Sequence, residues 1–111
     1  MQRFILFLDL KEDPQLIKEY EKYHESIPAE IEESIVSSGI ESMHIFRFEN
    51  RLCMEIIAND DFSFAKKGEM DSLNPAVQAW ETLMSNYQKT IPGTPAGAKW
   101  VLANTIFSLK K

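Results

Sequence analysis

Five consecutive apolar residues near the start of the chain, Phe4 to Leu8, constrain the fold more than any other feature. Charged residues follow at once, so the run has the length of a strand and falls far short of the about 20 apolar residues that span a membrane. Neighbouring side chains of a strand point to opposite faces of its sheet. Ile5 and Phe7 therefore cannot share a face with Phe4, Leu6 and Leu8, and both faces of the sheet need cover.

Two pairs of a capping residue and a proline predict where long helices begin. Asp13-Pro14 and Asn74-Pro75 each place an N-cap side chain before a proline suited to the first helical turn. Pro28 should kink or restart the first helix, and Gly39 should end it. Apolar or aromatic residues at helical spacing follow each start: Ile17, Tyr20, His24 and Ile27, continued by Ile31 and Ile35, in the first helix, and Val77, Trp80, Met84 and Tyr87 in the second.

The remaining segments predict three more strands and a short helix. Residues 42–48 and 52–58 form a hairpin around the turn 49–51, with Met43 and Ile45 on one face. Asp60-Asp61 should cap a helix that runs to about Met70, and residues 100–109 should form a final strand. The order β-α-β-β-α-β predicts an α+β, ferredoxin-like fold in one domain, residues 1–111. Because one apolar sheet face stays open, we expect a homodimer with the sheets packed face to face.

Composition limits the partners of the chain. Its formal net charge is −5, so the clustered basic surface that nucleic acid requires is absent, as is a basic face for membranes. The single Cys53 excludes an internal disulfide and a multi-cysteine metal site. The apolar run at the start is too short for a secretory signal, and no stretch is long enough to span a membrane, so we expect a cytoplasmic protein. No phosphate loop, dinucleotide fingerprint or hydrolase motif occurs. The two histidines, His24 and His44, have no spacing that indicates a metal, so we expect neither metal nor cofactor.

His24 is the best candidate for proton transfer, because an imidazole can give and take protons near neutral pH. Tyr20 lies one helical turn earlier on the same face, which can bring its hydroxyl into a shared pocket. Trp80 offers an indole that packs against the C–H face of a sugar. The residues alone also fit a packed, structural His24 and a Trp80 that belongs to the core.

Four segments together resemble the L-rhamnose mutarotase family, a group of small dimeric αβ-barrel proteins that includes L-fucose mutarotases. They are KEYEKYHESIPAEIEESIVSSGI, NRLCMEI, VQAWETLM and KWVLANTIFSL, in this order and spacing, and the likeness spans almost the whole chain. The resemblance implies that His24 is the proton donor, Tyr20 a pocket tyrosine and Trp80 the first of two tandem tryptophans. Two positions depart from the family pattern: Glu81 replaces the second tryptophan, and Met43 replaces a tyrosine. We therefore expect the pocket to contact the sugar differently from the rhamnose enzymes.

The resemblance implies an isomerase that interconverts the α and β anomers of a 6-deoxy-L-hexose, L-rhamnose or L-fucose, without a cofactor. His24 would protonate the ring oxygen, and Tyr20 would orient the substrate or relay the proton. Glu81 and a bound water are both open as the base. The alternative from another class is a ferredoxin-like dimer that binds a small metabolite or acts as a cofactor-free monooxygenase. A structural interaction module built on the apolar sheet face is a third.

Overall fold

The first strand, β1, forms the centre of an antiparallel sheet, in a computed structural model that describes residues 1–110. Strand β3 pairs with β1 along its length, from Gln2 opposite Ala58 to Asp9 opposite Arg51, and β2 pairs with the far side of β3. The order is β2-β3-β1-β4, with β5 also beside β1. The elements are β1 (Gln2–Leu10), α1 (Pro14–Tyr23), α2 (Ala29–Ser37), β2 (Ile40–Phe48), β3 (Arg51–Ala58), α3 (Phe64–Ser72), α4 (Pro75–Ser85), β4 (Gln88–Lys89) and β5 (Val101–Leu102). The predicted α+β class is confirmed.

Both predicted proline-led helix starts are present and capped. A side-chain oxygen of Asp13 accepts hydrogen bonds from the amides of the second and third residues of α1, at 2.9 and 3.3 Å. Asn74 does the same for α4, at 3.0 and 3.3 Å. Gly39 follows the last turn of α2 with a φ of 102°, a conformation that side chains with a Cβ rarely adopt. These boundaries depend on neighbours in the sequence, which is why the sequence predicts them.

Three predicted boundaries are wrong. Helix α1 ends at Tyr23, so His24 is its C-cap and Ile27 lies beyond it. Helix α3 is capped by Ser63, whose hydroxyl accepts the amide of Lys66 at 3.1 Å, and the expected cap Asp60-Asp61 lies two residues before it. Helix α4 stops at Ser85, so Tyr87, expected on its apolar stripe, instead precedes the short strand β4, which was not predicted.

The final strand is also shorter than predicted. Only Val101 and Leu102 pair with β1, and one further hydrogen bond joins the amide of Ala103 to the carbonyl of Ile5. The residues that follow, 104–110, form no regular element and are exposed. An apolar sequence favours a strand, but a strand also needs paired neighbours, and in the register of β5 residues 104–110 run toward the start of β1 without pairing with it.

The helices cover one face of the sheet, and the other face carries exposed phenylalanines as well as the ion pairs Arg3–Glu55 and Arg51–Asp9. Leu6, Leu8 and Leu10 of β1 are buried on the helix side. On the opposite side, Phe46 and Phe48 of β2 expose 56% and 79% of their surface. None of the helices within residues 1–110 is long and apolar enough to cross a bilayer.

Candidate active site

A cavity of about 500 Å³ lies between the helices and the inner face of the sheet. This volume is in the range of small-molecule sites. All five residues that the sequence analysis singled out line it: Tyr20, His24, Met43, Trp80 and Glu81. They come from the end of α1, from β2 and from α4, so the fold brings together positions that are up to 61 residues apart in the chain.

The imidazole of His24 is held by the backbone of its own helix. Its Nδ1 lies 2.8 Å from the carbonyl oxygen of Tyr20. In a regular α-helix the backbone amide of His24 would donate to the Tyr20 carbonyl, but it donates to that of Glu21, at 3.1 Å, and the imidazole of His24 takes its place. A carbonyl oxygen only accepts hydrogen bonds, so Nδ1 must carry a proton. The other ring nitrogen, Nε2, is therefore the one left for a substrate in the cavity.

Tyr20 is buried and packs its ring against His24, with ring centroids 4.4 Å apart. Burial raises the pKa of the Tyr20 hydroxyl, and a hydrogen bond with the Gln88 side chain opposes this to a smaller extent. The hydroxyl therefore stays protonated at neutral pH and can donate a hydrogen bond into the cavity. The link between Tyr20 and His24 thus runs through ring contact and the Tyr20 carbonyl.

The indole of Trp80 faces the catalytic histidine candidate. Its ring centroid lies 5.6 Å from that of His24, edge to face, and 6.3 Å from that of Tyr23. Trp80 is half-buried, so part of its surface is open to the cavity. Glu81, the next residue, reaches the cavity lining although it is exposed, and Met43 lines it from the sheet, opposite Ile56 of β3.

Sequence reasoning missed several polar residues of the lining. Lys67 and Asp71 of α3 form an ion pair, with Nζ 2.9 and 3.1 Å from the two carboxylate oxygens. Their i,i+4 spacing with opposite charges was a visible signal. Gln88 was not visible, because only the pairing of β4 with β1 brings it beside Tyr20. The side-chain oxygen of Gln88 is buried without a hydrogen-bond partner among the described residues.

The rim of the cavity carries another cation and a second tryptophan. Lys99 donates from Nζ to the backbone carbonyl of Glu81 at 3.3 Å, which ties the loop before β5 to α4. Trp100 packs against both buried clusters of the core and lines the cavity. Within residues 1–110, no group of three or more His, Cys, Asp or Glu side chains is placed to hold a metal ion.

Comparison with known proteins assigns the family. A family model described as L-rhamnose mutarotase matches residues 3–109 of the chain. The chain belongs to the L-rhamnose mutarotase family. The resemblance seen in the sequence is thereby confirmed, and with it the expectation of a carbohydrate isomerase. An L-fucose mutarotase of Xanthomonas campestris pv. campestris is 40% identical over 115 residues, covering 100% of this chain and 90% of that relative.

Solved structures show the same fold in distant sequences. An L-rhamnose mutarotase from Formosa agariphila matches 99% of this chain and 100% of its own, with a TM-score of 0.71 and 16% identity. A type-II polyketide cyclase from Streptomyces glaucescens matches 100% of this chain and 99% of its own, with a TM-score of 0.65 and 16% identity. At this identity, both likenesses show the fold alone.

Proposed function

We propose that this mutarotase-family protein interconverts the α and β anomers of a 6-deoxy-L-hexose, with His24 and Tyr20 as its acid-base groups. The observation that carries the proposal is the fixed imidazole of His24. Its Nδ1 is held 2.8 Å from the Tyr20 carbonyl, which leaves Nε2 for the sugar, beside the indole of Trp80. A positioned proton donor of this kind contributes about 10²–10⁴-fold to a rate.

The reaction needs proton transfers and no change in oxidation state. Nε2 of a doubly protonated His24 gives its proton to the ring oxygen while the bond from that oxygen to the anomeric carbon breaks. A base takes the proton of the anomeric hydroxyl, and the carbonyl forms. The open chain rotates about the bond next to the carbonyl, and the reverse transfers close the ring on the other face. Tyr20 donates a hydrogen bond that orients the sugar, and Trp80 packs on its C–H face.

L-Fucose is the first substrate to test, since the relative that is 40% identical carries that name. Glu81 stands where the rhamnose-type pattern has a second tryptophan, and it reaches the cavity lining. A carboxylate there accepts hydrogen bonds from hydroxyl groups, which an indole ring does not. Met43 adds an apolar thioether where the pattern has a tyrosine, so one hydroxyl contact is lost on the sheet side.

Saturation-transfer NMR tests the proposed activity directly. The α and β anomers of L-fucose and L-rhamnose interconvert slowly in water, and saturation of the anomeric proton signal of one anomer is transferred to the other at that rate. The protein should accelerate this anomer exchange at catalytic concentration. D-Glucose at the same concentration serves as the control sugar. If neither 6-deoxy sugar exchanges faster than in matched buffer, the proposed function is wrong.

The proposal includes a homodimer in the cytoplasm. Phe46 and Phe48 expose apolar surface on the sheet face that no helix covers, and a second copy of the chain can cover it. Such an interface should remove more than about 1,000 Å² from water. Cys53, a free thiol, suits a reducing compartment.

Sedimentation velocity at micromolar concentration should therefore show a dimer. Phe46→Asp should shift it to monomer, because the charge would be buried unpaired in the interface. Val36→Asp, at an exposed apolar residue of α2 on the helix layer, is the matched control and should remain dimeric. A wild-type monomer would contradict this part of the proposal.

A further inference from the structure

The ion pair of Lys67 and Asp71 lies in an unusual place for a helical salt bridge. The two residues are one turn apart on α3, and both line the same cavity as His24 and Trp80. Their side chains are only 18% and 20% exposed. By contrast, the side chains of Lys89 and Glu12, paired at 3.8 Å elsewhere on the molecule, are 56% and 73% exposed.

Helix stabilisation accounts for this pair only in part. On a helix, the acidic residue stabilises more when it comes four residues before the basic one, and here Lys67 comes first. A pair of charges that is turned away from water also loses solvation, which offsets much of its Coulomb attraction. The stabilising arrangement would be the reverse order on the solvent face of α3. We therefore look for the role of this pair in the chemistry of the cavity, where both side chains lie.

The ring-opening reaction needs a base, and the cavity has two carboxylates. Within residues 1–110, Asp71 and Glu81 are the acidic side chains of the lining. Glu81 is exposed, so water solvates its carboxylate, whereas Asp71 is mostly shielded. A carboxylate held in place by a neighbouring ammonium is already oriented, which is one condition for efficient proton transfer.

We propose that Asp71 is the general base that removes the anomeric proton, with Lys67 as the cation that holds it and stabilises the anomeric oxygen. This inference rests on the proposed mutarotase function. In ring opening, the anomeric proton passes to an Asp71 oxygen, and the electron pair of that O–H bond forms the carbonyl. The bond from the anomeric carbon to the ring oxygen breaks, and the ring oxygen takes its proton from His24. Ring closure returns both protons, so the enzyme ends as it began.

Asp71→Asn tests the assignment, because it keeps the shape of the side chain and removes the basic oxygen. Exchange is measured by saturation-transfer NMR with the faster of the two 6-deoxy sugars at pH 7, after subtraction of the buffer rate. We expect kcat to fall about 10²-fold or more with little change in KM. Asp71→Glu keeps a carboxylate at this position and should recover part of the lost kcat.

Two further variants separate a base from a merely structural aspartate. Lys67→Met should lower kcat less than Asp71→Asn does, because the carboxylate remains. Glu69→Gln removes an exposed carboxylate from the same helix and should leave the rate unchanged. If Asp71→Asn proves unstable in thermal melts, the double variant Lys67→Met with Asp71→Asn leaves no unpaired charge, and the same loss of kcat is expected of it.

The outcomes are distinct. If the wild type exchanges a sugar and folded Asp71→Asn retains kcat within about threefold, Asp71 is not the base and the inference is overturned. If the wild type exchanges no sugar, the proposed function itself has failed, and the role of Asp71 falls with it.

Discussion

The hydrogen bond from His24 to the carbonyl of Tyr20 predicts that two substitutions of this histidine will differ in stability but not in activity. Nδ1 of the imidazole donates to that carbonyl at 2.8 Å. In His24→Asn, the amide nitrogen can take the position of Nδ1 and keep the donor, whereas His24→Ala removes it. Neither variant has a group at the position of Nε2, the nitrogen that faces the substrate.

The expected magnitudes follow from the contacts. Loss of one ordinary hydrogen bond costs about 0.5–1.5 kcal/mol of unfolding free energy. The bond is only partly buried, so we expect His24→Ala to lower the free energy of unfolding by about 1 kcal/mol, which lowers the melting temperature by about 4 °C in a domain of this size. His24→Asn should retain most of that stability. Both should lose about 10²-fold or more in anomer exchange.

Thermal melting by circular dichroism and saturation-transfer NMR on the same samples check both parts. His44→Asn is the matched control, since His44 is exposed in β2 and does not line the cavity. It should match the wild type in exchange rate. An Asn variant with wild-type exchange would remove His24 from the mechanism. An Ala variant as stable as the wild type would show that Nδ1 does not donate to the carbonyl, and the assignment of the free nitrogen would be wrong.

Three further predictions follow from other sites. Gly39→Ala should lower the free energy of unfolding by about 2–3 kcal/mol, because φ is 102° and the new Cβ would lie 2.8 Å from an Asn59 side-chain oxygen. Gly68→Ala in α3, where a Cβ meets nothing within 4 Å, should raise it by about 0.5–1 kcal/mol, and urea unfolding measures both changes. Burial and a hydrogen bond with Glu19 raise the pKa of Tyr87 to about 12. The unfolded chain therefore loses this proton first, and the free energy of unfolding should fall as the pH rises from about 10 to about 12. The melting temperature of Tyr87→Phe should fall less over that range. Glu81→Trp should shift the ratio of fucose to rhamnose exchange about 10-fold or more toward rhamnose if Glu81 binds a sugar hydroxyl, and an unchanged ratio would show that it is solvated.

The starts of α1 and α4 and the central strand could be predicted from the sequence because they depend on neighbouring residues. Asp13 and Asn74 cap the amides two and three positions later, within the same turn of chain. The alternation around Leu6 in β1 defines two sheet faces wherever the strand is placed. The resemblance to the mutarotase family was also a property of order and spacing along the chain, and it brought His24 and Trp80 to attention.

The ends of elements and the polar side of the cavity were decided by the tertiary structure. The last strand stops at Leu102, although its register would carry the residues that follow along β1 toward Gln2, where β4 does not pair. Helix α1 ends four residues before Ile27, and the turn that results directs the His24 ring back to its own helix.

Tertiary structure also decided where three polar side chains point: those of Lys67, Asp71 and Gln88. The sequence displays a pair of opposite charges one turn apart, but only the packing of α3 over the sheet turns that pair toward the cavity instead of toward water. Gln88 reaches Tyr20 because β4 pairs with the end of β1. Local hydrogen bonds determine where α1 and α4 start. The direction in which a polar side chain points depends instead on long-range packing, and no short sequence pattern records that packing.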